Sequence, residues 1–371
     1  MKDRLIRCAS FALAVLLAAL TFASCGKAEG TKDRAGVETT VVENFSAAFI
    51  SDGSFGTGRS ASSGIREFAA ENGLLFSEFT PAEDTVAAVT ECIDSAAGLG
   101  ASVIVCEGIY AGDAAISAQT AYPDISFLIL AEDAFCESVN GKLFENVHCV
   151  GFRYADAGYL AGYAAVCEGY RSLGFASIPG LPSTVDCLGG FAEGVDDACA
   201  EYGIDPVPVY CRESEGGVFS GDPSGTLPPE DFFDLGAEAV AAMGVHAAPA
   251  VKAAAGRGKV IPICFCPEGA DGVIAPYPVF DKGCAAVRAL ERLLSNGGSW
   301  SVRDAGTCSH AGLGDGGVAA VFPEGDDQDG FDASVYEKIK NRVAAGEVRL
   351  KTFDDVGAIA EEYANIVFID E

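Results

Sequence analysis

The sequence predicts an α/β protein made of two doubly wound parallel-sheet lobes joined by a hinge. Three observations carry that expectation. Short apolar runs alternate with helix-like stretches along most of the chain. The alternation comes in two passes that share a local pattern. A length of 371 residues, 49% of them hydrophobic, suits two globular units better than one.

The first pass opens with an apolar run over residues 45–50, closed by the turn signal Ser51-Asp52-Gly53. A helix is expected up to Asn72-Gly73, where glycine follows the last periodic residue. A strand over 74–79 comes next, and Thr80-Pro81-Ala82-Glu83 reads as a capping box opening a helix that reaches about residue 97. Strand 102–106, helix 112–121 and strand 125–130 complete it. The second pass has a strand at 174–178, a helix over about 183–202, strands at 207–211 and 239–243, a helix to 255 and a strand at 260–265. Gly100-Ala101 opens a strand that ends at Gly108, and Gly236-Ala237 opens one that ends at Gly244. In both places Gly lies eight residues from Gly, and a helix and an apolar strand follow. In such sheets ligands sit beyond the carboxyl ends of the strands, so two facing lobes make a cleft that closes by hinging.

The amino terminus reads as a leader. Lys2, Arg4 and Arg7 precede an apolar run over residues 8–20, too short to span a bilayer. Phe22-Ala23-Ser24 then stand before Cys25, the arrangement of a lipoprotein signal in which the Cys25 thiol is acylated after cleavage. An ordinary signal peptide with a chance cysteine is the other reading. Residues 26–44 are polar and Gly/Thr/Lys/Glu-rich, as a tether would be. The expected organisation is a signal peptide over 1–24, a lipidated tether over 25–44, lobe 1 from 45–154 with 272–312, and lobe 2 from 155–271 with 313–371. The product would be held on the extracytoplasmic face of the cell membrane by lipid alone.

Lys+Arg 24 against Asp+Glu 54 leaves a formal charge of −30, which repels phosphate backbones and argues against nucleic-acid binding. Of 14 cysteines, Cys106, Cys149, Cys167, Cys264 and Cys284 sit in apolar runs, where a thiol behaves as a small hydrophobe. Buried free thiols are therefore expected over disulfides. His148-Cys149, Cys264-x-Cys266 and Cys308-x-His310 are only pairs, so no metal and no cofactor is expected. Gly56-Thr-Gly58-Arg-Ser-Ala61 fits a dinucleotide fingerprint, a common coincidence among 45 glycines. There is no Walker A motif, no GxSxG and no HExxH, and the three histidines lie far apart, so binding rather than catalysis is expected.

Several stretches together resemble one family. They are Tyr122-Pro-Asp-Ile-Ser-Phe-Leu-Ile-Leu130, Phe152-Arg-Tyr-Ala-Asp156 running on to Gly162, Gly190-Phe-Ala-Glu-Gly194, Phe233-Asp-Leu-Gly-Ala237 and Leu313-Gly-Asp-Gly-Gly317. In this order they are similar to the basic membrane protein family of ABC-importer solute-binding lipoproteins, the purine-nucleoside-receptor group with a type I periplasmic-binding fold. The resemblance implies a nucleoside-like small-molecule ligand, an ABC permease as partner, and no enzymatic activity. It also implies an aromatic stack on the base and carboxylate and Lys contacts to the ribose. Asp52-Gly-Ser-Phe55 resembles the first-loop motif, with Phe55 as stacker, although Gly56 replaces the family's Asn. Cys264 and Cys266 stand where the family has two carboxylates, and its Lys near residues 276–280 is displaced to Lys282.

Candidate ligand-binding residues are thus Asp52, Phe55, Glu107, Tyr110, Gly244, His246, Cys264 and Cys266. Bland roles stay open beside each: a turn or helix cap for Asp52, core packing for Phe55 and the two thiols, and plain surface for Glu107, Tyr110 and His246. Two other functions stay open as well, a ligand-sensing lipoprotein signalling through a membrane partner and a thiol-dependent metal or redox protein.

Overall fold

The computed structural model describes residues 45–53, 61–131, 133–177, 182–211, 228–263, 273–323 and 330–368. The chain begins with β1 (Ser46–Ser51), α1 (Ser62–Glu71), β2 (Leu75–Phe79), α2 (Val86–Gly98), β3 (Val103–Glu107), α3 (Ile109–Ala118), β4 (Ser126–Leu130), α4 (Asp133–Val139) and β5 (Val147–Phe152). It continues with α5 (Tyr154–Cys167), β6 (Leu173–Ala176), α6 (Pro182–Tyr202), β7 (Val209–Cys211), α7 (Pro229–Asp234), β8 (Ala239–Met243), a short 3-10 turn (Gly244–His246), α8 (Ala247–Ala254) and β9 (Lys259–Ile263). The last quarter holds β10 (Tyr277–Phe280), α9 (Lys282–Ser295), β11 (Thr307–Ala311), β12 (Val318–Val321), α10 (Ala333–Ala344), α11 (Val356–Glu362) and β13 (Ile366–Phe368).

Two parallel sheets result. The first has the strand order β11-β5-β4-β3-β1-β2, the second β13-β7-β6-β8-β9. Their central strands are apolar on both faces because helices cover both: every residue of β3, β4 and β5 is buried. Alternate residues of β1 separate accordingly. Ala47 and Phe49 join one hydrophobic cluster, Ala48 and Ile50 the other. The predicted doubly wound α/β class is what the chain adopts.

Two details differ from the sequence expectation. Thr85, not Thr80, caps α2: its backbone is extended and its hydroxyl oxygen accepts the Ala88 N–H at 3.3 Å. Helix α3 starts at Ile109 rather than Gly112, for a reason that lies in the site described below.

The stretch with the densest family resemblance is scaffold. A Cβ on Gly158 would stand 1.9 Å from the Cys187 carbonyl oxygen, and one on Gly190 would stand 2.0 Å from that of Ala155. The same holds for Gly162 and Gly194, so α5 and α6 pack backbone against backbone with no room for a side chain between them.

Between the sheets the chain crosses more than once. It leaves the first after β5 and stays hydrogen-bonded to the second through Ala275, whose N–H donates to Val260 O at 2.9 Å. It returns to the first as β11, then crosses again to β12. Strands β10 and β12 pair antiparallel to each other and belong to neither large sheet. Phe280, at the end of β10, stacks on Phe152 with ring centroids 4.8 Å apart and meets Tyr154 edge-on at 5.0 Å. Here too the Leu313-Gly-Asp-Gly-Gly317 run finds its structural role. The Leu313 N–H donates to Asp156 Oδ2 at 2.7 Å, and Asp315 Oδ1 accepts the Gly312 and Gly317 N–H groups at 2.9 and 3.0 Å.

Candidate functional site

Strands β1 and β3 are neighbours, paired so that Ser51 stands beside Glu107 at their carboxyl ends. Asp52 and Glu107 therefore arrive side by side, the Asp52 N–H donating to Glu107 O at 3.3 Å. Both acidic side chains are buried. Asp52 Oδ2 accepts the Ala111 N–H at 2.7 Å, satisfying a first-turn donor of α3 from another strand. This is the cap that lets α3 begin at once after the strand. The connecting Gly108 has φ +123°, and a Cβ there would stand 2.0 Å from Asp52 Oδ1. Only glycine allows the carboxylate so close. Of the bland roles open to Asp52, capping is realised, on α3 rather than on the helix that follows it in sequence.

Glu107 reaches the other way. Its Oε2 accepts the Ala61 N–H at 2.8 Å, at the start of α1. Its Oε1 accepts from Lys282 Nζ at 3.0 Å, and the two side chains are only 4% and 2% exposed. Surface placement for Glu107 is thereby overturned. Lys282 is the functional candidate that the sequence reading passed over as a displaced residue. It opens α9, just after Asp281, whose Oδ1 caps that helix by accepting the Cys284 N–H at 2.8 Å. A lysine in a first helical turn opposes the helix dipole, and that mismatch is the signal that would have found it. Burying both charges costs several kcal/mol per ion, a cost that their pairing offsets.

The other candidates fall elsewhere. Tyr110, in the first turn of α3, is exposed. Gly244 and His246 belong to the second sheet, in the turn that follows β8, with Gly244 at φ +58°. The His246 side chain is buried, its Nε2 has no hydrogen-bond partner among the described residues, and burial lowers its pKa, so it is held neutral. His148, which the sequence pairs with Cys149, is a satisfied core residue. Its Nδ1–H donates to Asp304 O at 2.9 Å and its Nε2 accepts from Ser309 Oγ at 3.0 Å. Phe55, Cys264, Cys266 and the lipidation candidate Cys25 lie outside the described residues, as do 178–181 and 212–227. No disulfide joins any two of the ten described cysteines, most of which are buried.

Two parallel sheets of this order, linked by several crossings, define the class of type I periplasmic-binding-protein-like folds. Solved structures bear this out. A solute-binding protein of an ABC transporter system from Conexibacter woesei is similar over 83% of this chain and 99% of its own, with TM-score 0.62 and 18% identity. One from Aeropyrum pernix covers 85% and 96%, with TM-score 0.53 and 16% identity. A transcriptional activator of the comK gene from Bacillus halodurans covers 81% and 97%, with TM-score 0.56 and 17% identity. At these identities the likeness is one of fold. No curated protein matches the chain.

A different comparison concerns the family. The family model Bmp, described as ABC transporter substrate-binding protein PnrA-like, matches residues 39–202, which span the strands β1 to β6 and the α5–α6 pair. Over that stretch, a little under half of the chain, the sequence is similar to this family, as the resemblance of its motifs implied.

Proposed function

We propose that this protein is a lipid-anchored, extracytoplasmic solute receptor that delivers a nucleoside-like small molecule to an ABC permease, without catalysis of its own. The observation that carries the reading is the buried Glu107–Lys282 pair beside Asp52, at the carboxyl ends of neighbouring parallel strands, where ligands of open α/β sheets bind. A carboxylate and an ammonium placed together suit vicinal hydroxyls, which both donate and accept. Phe55 would supply a ring face for the base. Gly244, His246, Cys264 and Cys266 would form the opposing, less polar wall, and Tyr110 the rim. The lobes would divide at 45–154 with 272–312 and 155–271 with 313–371, with Cys25 carrying the lipid.

Thermal unfolding of the reduced chain with a panel of nucleosides, bases and sugars tests the proposal. A saturating ligand at about 100 times its Kd adds about 2.7 kcal/mol, a clear rise in Tm. The rise is expected with nucleosides and is expected to vanish in Glu107→Gln. A shift with sugars alone would move the ligand to another class. No shift with any of them would sink the receptor reading in favour of a sensor that responds to something else. Cys25→Ser should release the protein from the membrane fraction.

A further inference from the structure

Cys308 and His310 alternate along β11, so both point to one face of the first sheet. The parallel register sets Cys308 beside Cys149 and His310 beside Gly151 on β5. Helix α4 contributes Cys136 to the same place. Cys136 Sγ lies 3.3 Å from Cys149 Sγ, the Cys308 thiol donates to Cys136 O at 3.4 Å, and the three sulfurs are all within 4.8 Å of one another. Gly151 lies under the cluster. A Cβ there would stand 2.9 Å from Cys136 Sγ and 3.0 Å from the His310 ring, so only glycine leaves sulfur and imidazole this room.

We propose that Cys136, Cys149 and Cys308 form a three-thiolate site for one zinc ion, its fourth position left to solvent. Around a tetrahedral Zn2+ with bonds of about 2.3 Å to sulfur, ligand sulfurs stand about 3.8 Å apart, within the range the three thiols already span. A disulfide fits the set less well. It would join two sulfurs and strand the third. Binding takes up one Zn2+, and the protons still held by the three thiols leave to the solvent as the thiolates form. A cavity of about 610 Å³ reaches Cys308, its wall shared by Asp304, Asp315 and three arginines, Arg288, Arg292 and Arg303. The ligands come from α4, β5 and β11, so the ion would fasten the late-arriving edge strand to the sheet and to the helix above it. The site lies apart from Asp52, Glu107 and Lys282 and does not depend on what the protein transports.

Cobalt is the probe that reads the site directly. The full chain, reduced and freed of metal, should bind one Co2+ with thiolate-to-cobalt charge transfer and the strong visible bands of a tetrahedral centre. One equivalent of Zn2+ should bleach them. His310→Gln, beside the cluster but outside the ligand set, should leave the charge transfer in place. Cys308→Ser should weaken zinc by more than the roughly 10–100-fold that losing an outer-shell partner costs. Cys187→Ser, in a buried thiol on α6, should change neither. The absence of thiolate charge transfer in the reduced wild-type chain would overturn the proposal, whatever the variants do. So would a Cys136–Cys149 disulfide that forms in air despite equimolar Zn2+.

Discussion

Strands β3 and β8 occupy matching places in the two sheets. Each follows a positive-φ glycine by three residues (Gly100 and Gly236), runs for five, and is closed by another positive-φ glycine (Gly108 and Gly244). The strands differ in what their carboxyl ends hold. The first ends in Glu107, paired with Lys282 and flanked by Asp52; the second ends in Met243 and leads to a neutral, buried His246. Helix α3 receives a carboxylate cap from Asp52, whereas α8, preceded by its 3-10 turn, has no side-chain cap. Among the described residues, one backbone plan thus carries an ion pair at the end of β3 and none at the end of β8.

The largest effect that would test the contrast is at the ion pair. Glu107→Ala leaves a buried ammonium without its partner and is expected to cost about 3–5 kcal/mol in urea unfolding. Glu107→Leu combined with Lys282→Met should recover most of that loss while abolishing ligand binding. A double variant as unstable as the single would mean that the pair serves the fold.

A smaller effect belongs to the cap. Asp52→Ala should destabilise by about 1 kcal/mol, with loss of amide-exchange protection confined to the first turn of α3. Protection lost equally in α8 would dissolve the distinction between the two helices.

The smallest is a matter of pH in the second sheet. Burial holds the folded-state pKa of His246 below the ordinary 6.5, so on acidification the unfolded chain takes up this proton first. The contribution is fully present above pH 6.5 and declines as pH falls toward the folded pKa. His246→Gln should flatten the stability profile in that window by no more than about 1.4 kcal/mol per pH unit. His148, also held neutral by burial, acts on the same limb, so an unchanged slope in His246→Gln would assign the dependence to the first sheet.

Strand and helix alternation was legible because both faces of each sheet are covered, which turns central strands into unbroken apolar runs. The matched glycines were legible for the same local reason. Lys282 was not, since its partner Glu107 stands 175 residues away and only the fold brings them together. The thiol cluster escaped for a related cause. Metal sites announce themselves in sequence when ligands come in short pairs, and here Cys136, Cys149 and Cys308 come from three separate elements. The motifs that carried the family resemblance turned out to be the glycines between α5 and α6 and the turn around Asp315. These are the tightest places in the scaffold, where few residue types fit.

Both sheets receive an edge strand from the last quarter of the chain: β11 completes one, β13 the other. During synthesis, β5 therefore waits with an open edge while the more than 150 residues that separate it from β11 are made. An open edge strand is a template for wrong partners. The same wait keeps Cys149 from meeting Cys308, so the cluster of sulfurs closes only when the nascent first sheet does.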